Sequence, residues 1–199
     1  MSLEVLNTLG TLVTVVIVAT TAIAALVQLR HLRASNEISA LLTVAHEFQS
    51  NAFRESLHQV DYHLARMLGE PLFREYAASV ARNLKPPDVG PEYVEVRRAA
   101  VLIGNASEEL GLLIKHRTVD KDLFLDRYST TILHMWARLT PFVAFVRAAS
   151  GDPARFENFE YLVVCAQDWE REHPSSYPQG VRHLEIDNAL PVPPMPASA

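Results

Sequence analysis

Residues 5–29, between Glu4 and Arg30, contain no charged side chain. Wound as an α-helix at ~1.5 Å per residue, this run is about 38 Å long, more than the ~30 Å hydrocarbon core of a bilayer. The core helix of a soluble domain rarely reaches that length without a charge. A cleaved secretory signal is the main competing reading, and Ala22-Ile23-Ala24 resembles a cleavage site. Such a signal has a basic leader and an apolar stretch of roughly 7–15 residues. Here the leader holds only the acidic Glu4, and the stretch is too long. The run is therefore expected to be a permanent transmembrane anchor, within residues 1–33. Arg30 and Arg33 follow it and no Lys or Arg precedes it, so the positive-inside rule puts the rest of the chain in the cytoplasm, beneath an inner membrane.

The run has two unlike sides. Asn7, Thr11, Thr14, Val18, Thr21, Ala25 and Gln28 recur at spacings of three and four, which places them on one helix face, while Leu9, Leu12, Val13, Val16, Ile23 and Val27 populate the other. In lipid, small and hydroxyl side chains let helices approach and bond to each other. The stripe predicts a self-association seam, hence a homo-oligomer. In a larger ring it would line a narrow pore that conducts ions or perturbs the bilayer. A plainer account is that each threonine bonds a carbonyl of its own helix and is merely tolerated.

Beyond Arg33 the apolar residues Ile38, Leu41, Ala45, Phe48, Ala52, Val60, Leu64 and Met67 keep a helical period, and Gly69 and Pro71 end it. No breaker stands between Arg30 and Leu68, so the anchor is free to continue unbroken into this helix. Its apolar face would then lie about half a turn from the stripe and pack on its own chain. A second helix is predicted over 71–84 with Leu72, Tyr76, Val80 and Leu84 inward, stopped by Lys85-Pro86-Pro87-Asp88. A third, from Pro91 to the basic Lys115-His116-Arg117, is apolar nearly all round, as a buried helix is. A fourth, over 120–149, carries Trp136 and a kinking Pro141. A fifth, over 154–171, follows the turn Gly151-Asp152-Pro153. The expected fold is all-α: one N-terminal transmembrane helix (1–33), a four- to five-helix cytoplasmic bundle (34–173) and a Pro-rich flexible tail (174–199).

Composition narrows function by exclusion. Among 199 residues the net charge is −5, so no basic excess exists to neutralise a phosphate backbone, and nucleic acid is not an expected partner. Cys165 is the sole cysteine, too few for an internal disulfide or a multi-cysteine zinc site. Glu55-x-x-His58 and Glu170-x-x-His173 have the spacing of di-iron bundles. His58 falls nearly opposite the apolar face, however, and the second motif sits at a helix end before Pro174, so the four cannot share a dry site. His46-Glu47 opens like a zinc-protease helix, but Ser50 occupies the second histidine's place. His63 lies on the apolar stripe and reads as a structural histidine. No cofactor or metal is expected.

The informative polar residues lie on the two most apolar helices. Asn105, Glu108 and Glu109 interrupt the third, and Arg147 stands on the Trp136 side of the fourth. A buried carboxylate needs a partner, because its desolvation costs several kcal/mol. Arg147 is expected to pair with Glu108 or Glu109 as a structural ion pair; the alternative is a solvated glutamate with Arg147 reaching the surface. An enzyme site around Glu108, Glu109 and His63 lacks a nucleophile or metal to work with.

The segment running from Asn105-Ala-Ser-Glu108-Glu109-Leu110-Gly111 through Val119-Asp120 to Trp136-x4-Pro141-x5-Arg147 resembles an uncharacterised bacterial family of single-span membrane proteins with a short helical cytoplasmic domain. The resemblance covers roughly residues 1–150 and rests on Glu108, Trp136 and Arg147. Many relatives carry a glycine where this chain has Arg117-Thr118, so a different turn is expected there. The family implies fold and topology and brings no activity. The expected function is a membrane-anchored interaction or scaffold protein, self-associating and bound to an unidentified protein partner, with an oligomeric membrane effector as the alternative.

Overall fold

The computed structural model describes residues 3–175, 177 and 180–184; the expected tail falls largely on 185–199, outside the described residues. All regular structure among the described residues is helical. Helix α1 (Leu3–Gln49) runs 47 residues without interruption, about 70 Å at ~1.5 Å per residue. From Gly10 it is long and apolar enough to cross a membrane: its best 18-residue window has a mean hydropathy of 2.4 and none of that window is buried. The apolar run thus continues into the first helix of the bundle, as the absence of a breaker allowed.

The continuation ends earlier than the sequence suggested. The single helix expected as far as Leu68 is broken at Ser50, whose backbone is extended (φ −63°, ψ 147°). The Ser50 hydroxyl accepts the amide proton of Phe53 at 3.1 Å and so caps α2 (Asn51–Gln59). A π-helical turn, Val60–Leu64, joins α2 to α3 (Ala65–Gly69). Pro71 then opens α4 (Pro71–Ala81), in the first-turn place where its missing amide costs nothing. On α4 the buried face is Phe73, Tyr76, Ala77 and Ala81, whereas Leu72 and Leu84, expected inward, are 41% and 58% exposed. The helix stops at Ala81, and Asn83 turns left-handed (φ 57°), which takes Leu84 off the helix altogether.

Helices α5 (Pro91–Lys115), α6 (Lys121–Ser150) and α7 (Glu157–Glu172) form the centre. Asp120 caps α6 by accepting from the Leu123 amide at 2.8 Å, and Gly151 ends it in the left-handed conformation (φ 70°). Pro141 sits exposed inside α6 without ending it. Helix α5 packs against α2, α6, α7 and the π turn. The core is built from Phe53, Leu64, Phe73, Ile103, Leu110, Phe124, Ile132, Met135, Leu139 and Phe159, all essentially buried. Each such side chain contributes about 1.5–3 kcal/mol of burial. The last turn of α1 enters this core through Phe48, whose ring stacks on Phe53 (4.6 Å) and meets Tyr128 (5.3 Å). Phe48, with Ala40, Leu41 and Val44 packed against the same core, fixes the projecting helix to the bundle.

Candidate functional site

Glu108, Trp136 and Arg147, the residues behind the family resemblance, converge on one place, the start of α7. That helix begins without a capping side chain of its own. Its N-cap position is Phe156, held left-handed (φ 62°). The first amides of a helix need acceptors, and a buried start without them is unstable. Glu108 on α5 supplies them: one carboxylate oxygen accepts the Phe159 amide at 2.8 Å and the other accepts the Asn158 side-chain amide at 2.8 Å. A carboxylate there also faces the positive end of the α7 dipole.

Arg147 does not meet Glu108 or Glu109. The expected ion pair is corrected by its observed partners: its Nε donates to the Arg155 carbonyl at 2.7 Å and its terminal nitrogen to Glu160 at 2.8 Å. The pairing differs because the backbone and side chain of Asn158 and Phe159 already satisfy Glu108. Trp136 meets Phe159 edge-on, with centroids 5.0 Å apart at 85°. Next to Pro141, the Thr140 hydroxyl bonds the Trp136 carbonyl at 2.6 Å.

Sequence reasoning missed the other half of this joint. A Cβ at Gly111 would run into the Asn158 carbonyl, and one at Gly104 would lie 2.8 Å from the Phe156 ring. Two glycines seven apart on a buried helix, facing a helix without a cap, are the signal that marks it. Lys115 adds a bond to Asn158 at 3.2 Å. Nothing in the joint is a nucleophile aimed into a cavity; it is a structural lock.

Glu109 points elsewhere. It is exposed and, with Asn105, edges a cleft of ≈ 520 Å³ between the end of α1 and α5, floored by Val44, Phe48, Ala106 and Leu110. Near the π turn, Asp61 accepts from His134 (2.8 Å) and lies 3.5 Å from Arg138; these partners on α6 were not foreseen. The two Glu-x-x-His motifs stay apart. Glu55 bonds Gln59, Glu170 bonds Thr130, and His173 stacks on Trp169. His63 is half-buried. Among the described residues, no group of three or more His, Cys, Asp or Glu is placed to hold a metal.

The stripe residues Asn7, Thr11, Thr14, Thr21, Ala25 and Gln28 are all exposed on α1. The hydroxyls of Thr11, Thr14 and Thr21 each bond the carbonyl four residues back, at 2.8–3.0 Å.

A long apolar helix projecting from a helical bundle, with a carboxylate on one helix capping the start of another, defines an all-α fold with one candidate membrane span among the described residues. The family described as a domain of unknown function, DUF4760, matches residues 15–169, and the chain belongs to it. No curated protein and no solved structure gives a significant match.

Proposed function

We propose that this chain is a membrane-anchored interaction protein that self-associates through α1 and presents its bundle to a protein partner on the cytoplasmic side of an inner membrane. The observation that carries the reading is the form of α1. Its apolar window is wholly unburied, and the bundle attaches only at its far end. A core helix would have its apolar surface covered by the chain itself. Arg30 and Arg33 supply the charge bias for a cytoplasmic bundle. The threonine hydroxyls bond their own helix, as the plainer account has it; this leaves them no free polar group for a pore lining and leaves small-residue packing as what the stripe offers a second copy, so self-association is preferred to conduction.

Thr14→Leu combined with Thr21→Leu is expected to abolish cross-linked oligomers in mild detergent, because larger side chains keep the backbones apart. Undiminished cross-linking would remove the seam. The anchor itself is tested by fractionation: intact protein in a detergent-free lysate supernatant would remove it.

A further inference from the structure

Which end of the bundle faces the bilayer follows from the register of α1 against its neighbours. Residues 40–48 of α1 and 102–113 of α5 line one cleft, and Glu37, nearer the apolar segment, shares a second pocket with residues from Ile114 onward, so α5 runs back toward the apolar segment. The turn from α5 to α6 is thereby held beside Glu37, sharing a surface pocket with it through Lys115, Arg117, Asp120, Lys121 and Asp122. Glu37 lies eight residues past Leu29, about 12 Å along the helix at ~1.5 Å per residue. The headgroup layer adds roughly 5–7 Å to each side of the hydrocarbon core. The turn therefore stands within reach of long side chains, and within about one Debye length, of the headgroups.

The pocket lining is balanced, with Lys115, Arg117 and Lys121 against Glu37, Asp120 and Asp122. Arg30 and Arg33, one to two turns back along α1 toward the apolar run, tip this end of the molecule to a net positive charge in a protein whose net charge is −5. Asp120 caps α6, Asp122 and Lys121 lie 3.7 Å apart and offset each other, and Lys115 also bonds the Asn158 side chain, so Arg117 and the two α1 arginines carry the excess. Arg117 is exposed and held left-handed (φ 55°) at the tip of the turn. We infer that the α5–α6 turn is a second membrane contact, in which Lys115, Arg117 and Lys121 with the α1 arginines bind the phosphates of anionic lipid headgroups and fix the bundle against the bilayer. This rests on the membrane anchor proposed above.

The test uses the full-length protein reconstituted with vesicles of phosphatidylcholine alone or mixed with phosphatidylglycerol. The amides of His116, Arg117 and Thr118 bond the carbonyls of Leu112, Ile114 and Leu113, so their hydrogen exchange is measurable. Each Lys or Arg near an anionic surface is worth on the order of fivefold in binding. Exchange at these amides should slow about fivefold or more when phosphatidylglycerol is present. Lys115→Gln, Arg117→Gln and Lys121→Gln together should erase the difference while vesicle flotation persists. Arg117→Gly, which suits the backbone, is the second variant and should reduce the difference with the fold intact. Flotation with both vesicles but equal exchange would overturn the lipid contact and leave the anchor standing. Equal slowing by inorganic phosphate over phosphatidylcholine vesicles would overturn the headgroup assignment. Failure to float with either vesicle would overturn the anchor, and this contact with it.

Discussion

Glu108 is a cap delivered from another helix, and its replacement separates it from its neighbour in sequence. Glu108→Ala leaves the Phe159 amide and the Asn158 side chain without their acceptor and should cost about 1–3 kcal/mol in thermal or denaturant unfolding. Glu109→Ala, at an exposed position, should stay within about 0.5 kcal/mol. Glycines divide in the same manner. Gly111→Ala collides with backbone that cannot yield, whereas a Cβ at Gly69 meets nothing within 4 Å. The first should destabilise by more than about 2 kcal/mol, and the second should be neutral or stabilising by up to about 1 kcal/mol. Arg147→Met should lower the melting temperature more than Arg54→Met, because Arg147 bridges Arg155 and Glu160 while Arg54 is exposed. Arg117 itself is held in the left-handed conformation that a glycine adopts freely.

Helix ends set by local chemistry could be read in advance. Pro71 and Pro91 open helices, Asp120 caps α6 and Gly151 closes it, each acting within a few residues of itself. Ser50 also acts locally, yet it sits inside an unbroken apolar period, and the period hid the break. Ser50→Ala should cost about 1 kcal/mol of bundle stability by freeing the Phe53 amide, readable in urea unfolding. What could not be read lies between elements. Glu108 meets an amide 51 residues away, and no rule on one helix names it. The need for a partner was legible from the cost of burying a carboxylate; its identity was not, because backbone amides compete with arginine and leave no trace in composition. On α4, spacing alone favoured Leu72 and Leu84, while the packing surface selected Phe73 and Ala77.

For the whole molecule, the decisive property is that α1 is one rod. At ~100° per residue a three-four stripe drifts about 20° every seven residues, so two copies that follow it down α1 wind left-handed about each other. The stripe that starts with Asn7 and Thr11 continues in the same three-four alternation through Leu32, Ser35, Ser39, Leu42 and His46, all exposed. Val44 and Phe48, which face the bundle and the cleft, lie roughly 160° and 120° around the axis from Leu42. Two copies joined along the stripe would therefore keep their bundles on opposite outer sides, with Leu42, 63% exposed in the single chain, covered at the junction. In a Cys165→Ser background, single cysteines at 35, 39 and 42 should form disulfide-linked dimers in membranes, and cysteines at 40, 43 and 47 should not. Cross-linking that ignores this alternation would mean that the copies meet, if at all, by another surface.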